Sequence, residues 1–175
     1  MIKQTIKKYI RWALFDVNLE ISRGSLPIHV IHAQNKHGTV RDALERLNKR
    51  LKKLALRHQK ALRGSPGRMI GAFEEPETDE TGAEIPLLIG FLICGPVVAL
   101  MTFDMGLMKG DSEDEGVDGK FFSQFDFSER GQDVWNSLSL AIVVMHIRNT
   151  MVRLSQQGYG GFVKCLKSGA ASEDL

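Results

Sequence analysis

Ile85-Pro86-Leu87-Leu88-Ile89-Gly90-Phe91-Leu92-Ile93-Cys94-Gly95-Pro96-Val97-Val98-Ala99-Leu100-Met101-Thr102-Phe103 is a stretch without a single charge. Two structures compete for it. Its length approaches the ~20 residues needed to cross a bilayer. Against a span, Pro86, Gly90, Gly95 and Pro96 lie inside it, and a central proline removes a backbone hydrogen bond that lipid cannot replace. Neither end carries Trp or Tyr, the neighbouring residues are largely acidic, and Arg68 balances Lys109, so no positive-inside signal exists. The alternative is a buried hairpin. Leu87 to Ile93 and Val97 to Phe103 supply two β-rich arms around a turn at Cys94-Gly95-Pro96, and unbroken hydrophobicity is what doubly covered strands show. The hairpin is the expectation, and an integral membrane protein anchored by residues 85–103 is the alternative.

Upstream, Ile2, Ile6, Tyr9, Ile10 and Ala13 recur at helical spacing with Lys3, Lys7, Lys8 and Arg11 on the other side, which predicts a short basic amphipathic helix. From Phe15 to Ser22 apolar and polar residues alternate, the pattern of a half-buried strand. Arg23-Gly24-Ser25 then offers a turn and Leu26 to Ile31 a second strand. Thr39 and Asp42 form a capping box ahead of a long helix over 39–63. Its seam, Val40, Leu44, Leu47, Leu51, Leu54, His58 and Ala61, is spaced 4-3-4-3-4-3. Gly64-Ser65-Pro66-Gly67 ends it.

Downstream, residues 71–84 and 111–120 read as acidic loops. Phe121, Phe122, Phe125 and Phe127 precede Ser128, a candidate cap for a C-terminal helix reaching about Gln156. Val134, Leu138, Ala141, Ile142, Met145 and Val152 are its expected apolar face, and Gly158 its stop. A last strand at 162–166 precedes a polar tail over 168–175.

The chain has 175 residues, 43% hydrophobic and 25% charged, an ordinary globular composition for one domain. The net charge of +2 conceals segregation. Residues 1–70 carry 16 Lys and Arg against 4 Asp and Glu, residues 71–133 carry 3 against 15, and residues 134–175 carry 4 against 2. Blocks of +12, −12 and +2 speak to partners and self-association. Cys94 and Cys165 show no paired spacing, so neither a disulfide framework nor a zinc site is indicated and a reducing compartment is expected. The start lacks the apolar run of a secretory signal.

Few motifs suggest chemistry. His29 and His32, three apart on a strand, point to opposite faces and cannot clasp one metal. His58 on the seam reads as a register or partner-number device, and His146 as a core histidine. Asp111-Ser112-Glu113-Asp114-Glu115-Gly116 copies half of a calcium loop, but its twelfth position is Phe122 rather than glutamate. Gly158-Tyr159-Gly160-Gly161 follows a helix, where a phosphate cradle would precede one. No nucleophile, zincin or paired-carboxylate pattern occurs, so no catalytic residue, metal, cofactor or small-molecule substrate is predicted.

The expectation is therefore a single α+β domain, with a small mainly antiparallel sheet from residues 15–31, 87–103 and 162–166. A long basic helix and a C-terminal amphipathic helix would pack on it. The expected role is a non-enzymatic structural adaptor, of the matrix or nucleocapsid-associated kind by architectural analogy alone. It would be cytoplasmic or peripheral at the inner face of a membrane, and would self-associate into a homo-oligomer. Lys3, Lys7, Lys8, Arg11, Arg46, Lys49, Arg50, Lys53, Arg57, Lys60 and Arg63 are the candidate contacts to an anionic membrane or nucleic acid. Ile2, Ile6 and Trp12 are candidates to enter a membrane interface. A DNA-binding regulator using helix 39–63 is a further alternative.

Overall fold

A computed structural model describes residues 1–22, 24–63, 86–107 and 119–164. The predicted loop 71–84, nearly all of 111–120 and the tail 168–175 lie outside those residues, as does the Arg63 side chain.

The uncharged stretch forms two strands, β3 (Leu88–Cys94) and β4 (Val97–Phe103). They pair antiparallel from Leu88↔Phe103 to Cys94↔Val97. Gly95 opens the two-residue turn at φ 60 and Pro96 closes it, which only a primed turn with glycine first accommodates. No described helix is long and apolar enough to cross a membrane, so the helical span at 85–103 does not form.

The rest of the sheet follows from β3. Strand β2 (His29–Ala33) joins it in parallel and β5 (Lys120–Asp126) extends β4 antiparallel, in the order β2-β3-β4-β5. A parallel pair requires a crossover, and helix α2 (Val40–Arg63) lies within it. Two sequence expectations are corrected. The hairpin over 15–31 is absent because helix α1 (Ile2–Asp16) runs through Phe15; Ala13 and Leu14 continue the buried row of Ile6 and Ile10, leaving only a two-residue strand, β1 (Leu19–Glu20). That strand pairs with β6 (Val163–Lys164) apart from the main sheet. Strand β5 was not foreseen.

Helix α2 starts as its capping box dictates: the Asp42 amide donates to Thr39 Oγ1 at 3.0 Å and the Thr39 amide to Asp42 Oδ2 at 3.2 Å. The seam holds in its middle, where Leu47, Leu51, Leu54 and His58 are buried, whereas Val40 is exposed and Ala43 takes its place. Gly90 marks where α2 meets the sheet, since a Cβ there would stand 3.0 Å from Leu51 Cδ1 and 3.1 Å from Leu47 Cδ2. The even-numbered residues of β3 thus face α2. The odd-numbered residues, Ile89 among them, face the opposite way, where α1 and helix α3 (Asp133–Gln156) pack. The sheet is covered on both sides, which accounts for the unbroken hydrophobicity of β3.

Helix α3 stops at Gly158 as expected, with Tyr159 N bonded to Leu154 O at 2.8 Å and Gly158 N to Ser155 O at 3.0 Å. Ser128 does not cap it: its amide and hydroxyl donate to Asp126 Oδ1 at 2.8 and 2.6 Å. The helix buries Leu140, Val144, Ile147, Met151 and Leu154, so the expected face is corrected too, with Val134, Leu138 and Ile142 left exposed.

Candidate functional site

Both basic helices lie beside β2, an edge of the sheet. Burial first, then the charges of Arg50, Lys3 and Arg46, push the His32 imidazole below its ordinary pKa. His32 thus feels cations from both helices, Lys3 at the start of α1 and Arg46 and Arg50 in the first half of α2. Arg46 and His32 also line one small crevice. Further along the strand, Lys7, Arg11 and Phe15 line a second cavity together with His29. Lys3, Lys7, Arg11 and Phe15 are thus an i, i+4 row of α1 bordering β2 on one face.

The matching row on α2 is Arg46, Arg50, Lys53, Arg57 and Lys60, spaced 4-3-4-3 one position ahead of the buried seam. At ~1.5 Å per residue it runs roughly 21 Å. All five are exposed, as are Lys7, Lys8 and Arg11, while Lys3 is half-buried. Among the described residues none of these nine has a carboxylate within ion-pair distance. Lys49 stands apart, 3.4 Å from Glu45. Asp42, at the head of α2, has its carboxyl pKa lowered first by its hydrogen bonds with Thr39 and then by Arg46 and Arg41. A surface with two uncompensated cationic rows flanking one strand attracts extended anions.

The three residues expected at a membrane interface separate. Ile6 is 0% exposed and Ile2 is half-buried against the core, so neither is presented outward, whereas Trp12 is 58% exposed. Phe15, at 62% exposed, is an outward aromatic of α1, although the alternation around it predicts a strand. Trp12 stacks on Tyr9 with ring centroids 5.8 Å apart.

The histidines do not assemble a centre. His29 faces α1 and His32 faces α2, and no group of three metal-ligating side chains exists among the described residues. His58 is 0% exposed. Its Nε2 lies 3.1 Å from Pro27 O and its Nδ1 3.0 Å from Tyr159 Oη. Because Pro27 O only accepts, Nε2 carries the proton; the one hydroxyl proton of Tyr159 is donated to His58 O at 2.8 Å, with Nδ1 beside the same hydroxyl. His58 is a satisfied intramolecular latch, and its seam position serves this chain's own core. His146, expected in the core, is exposed beside an apolar groove lined by Leu87, Phe122 and Ile142.

No protein-family model, curated protein or solved structure matches the chain.

Proposed function

We propose that the protein is a non-enzymatic structural adaptor that binds a polyanionic surface, an acidic bilayer in the first place, along the β2 edge and associates with itself. The supporting observation is the pair of cationic rows on the two helices that flank β2, without carboxylate partners among the described residues. Trp12 and Phe15 favour a bilayer over nucleic acid, because exposed aromatics at the end of a cationic helix enter the headgroup region. Such binding would place the protein peripherally at the inner face of a membrane, where each basic side chain near anionic lipid contributes about 1 kcal/mol.

Self-association is supported by α3. Val134, Leu138 and Ile142 repeat at i, i+4 and stand exposed with Trp135 and Phe122. Two copies of that ridge can pack against each other about a two-fold axis. Light scattering on the full chain tests it: Leu138→Glu with Ile142→Glu is expected to give a monomer from an oligomer, and an unchanged mass rejects α3 as the interface.

Flotation with phosphatidylserine-containing vesicles tests the surface. Replacing Arg50, Lys53, Arg57 and Lys60 with Gln removes about 4 kcal/mol, two to three orders of magnitude in partitioning, with circular dichroism unchanged. Unaltered flotation would remove α2 from the account. Salt-sensitive binding to DNA or RNA without binding to vesicles would transfer the same rows to nucleic acid, and a large preference for one duplex sequence would favour a regulator.

A further inference from the structure

Between α1, β1 and β2 lies a cavity of about 400 Å³ lined by Lys7, Ile10, Arg11, Leu14, Phe15, Leu19, Glu20, Ile21 and His29. That volume falls in the ~300–1,000 Å³ range of small-molecule sites. Its chemistry is two-sided. Ile10, Leu14 and Leu19 are buried apolar walls, and Phe15 and Ile21 form an exposed apolar rim. Lys7 and Arg11, one helical turn apart, supply two exposed cations on one side. His29 completes the lining from β2.

We infer that this cavity binds a small anionic amphiphile, a carboxylate or phosphate head joined to an aliphatic chain, with the head on Lys7 and Arg11 and the chain along Ile10, Leu14 and Leu19. Neither half of the site explains the other. A site for a simple anion has no use for five apolar side chains, and a site for a neutral hydrocarbon has none for two cations. Glu20 is the single carboxylate in the lining and limits the head to the α1 side. The inference does not depend on the surface proposed above, although Lys7, Arg11 and Phe15 belong to both.

Calorimetric titration of the full chain with decanoate, decanol and acetate tests it. Decanoate is expected to bind saturably, with decanol at least about tenfold weaker because it loses the charge-assisted contact and acetate at least about tenfold weaker because it loses the burial of the chain. Lys7→Gln with Arg11→Gln should weaken decanoate by about tenfold or more and leave decanol unchanged. Ile21→Trp, at the exposed rim, should close the mouth and abolish decanoate binding while vesicle flotation persists. The four-glutamine α2 variant should do the reverse, losing flotation and keeping decanoate. Competition by short-chain phosphatidylserine would identify the source as bilayer lipid, and its absence as free fatty acid; both support the site. Equal affinity for decanoate and decanol, or decanoate binding untouched by Ile21→Trp, would overturn it and leave the surface proposal standing.

Discussion

Acid should destabilise this protein through His29 well before its carboxylates respond. Burial pushes the His29 imidazole down to about 4 from an ordinary 6.5. Between those values the unfolded chain binds a proton that the native chain refuses. The contribution of neutral His29 is therefore full above pH 6.5 and declines as the pH falls toward 4. Between about pH 7 and pH 4.5 the loss integrates to roughly 2 kcal/mol, an upper value because His29 as a whole is half-buried. His32 and His58 are also held below their ordinary value, both chiefly by burial, and add loss of the same sign. Asp42 and Asp126 titrate below 3.8, mainly through hydrogen bonds to Thr39 and Ser128, outside this window. Urea unfolding at stepped pH measures the effect. His29→Gln, neutral throughout, should flatten the decline by roughly 2 kcal/mol relative to the unsubstituted chain. A decline as steep in the variant would show that His29 is accessible to protons and would refute the reasoning.

Gly90→Ala places a methyl 3.0 Å from Leu51 Cδ1 and is expected to cost about 1–3 kcal/mol in chemical unfolding through overpacking; no loss would mean α2 sits further from the sheet. Tyr159→Phe removes the hydroxyl that donates to His58 O and lies against His58 Nδ1 and should cost about 1–2 kcal/mol, and an unchanged midpoint would break the latch. Thr39→Ala removes one arm of the capping box and should cost about 1 kcal/mol with no effect on vesicle flotation.

The hairpin of β3 and β4 was legible because its signal is local, a glycine-proline turn between two arms too rich in β-branched and aromatic residues for a loop. The head of α2 was legible for the same reason, since Thr39 and Asp42 contact each other across three residues. Helix α1 ended later than the alternation suggested: eight residues of period two fit a strand and a helix end about equally well, and Ala13 and Leu14 decided the matter by packing. The parallel partnership of β2 with β3 joins residues sixty apart, and no local pattern encodes it. In β5 a register shift opposite Leu100 and Met101 disturbs the alternation that would have announced the strand. Helix α3 is apolar around much of its circumference, so periodicity could not choose which side would be buried, and the exposed ridge followed. Among the site residues, the cations of α1 and α2 were each visible as helical rows. Their placement on either side of β2, and the loss of Ile6 to the core, are tertiary facts.

Flotation of the full chain with neutral vesicles and with vesicles of rising phosphatidylserine content, at low and high salt, meets the central claim most directly. Binding should be negligible on neutral lipid, rise steeply with anionic fraction and collapse as salt screens the two rows. Equal binding to neutral and anionic vesicles, or none to either, would contradict it.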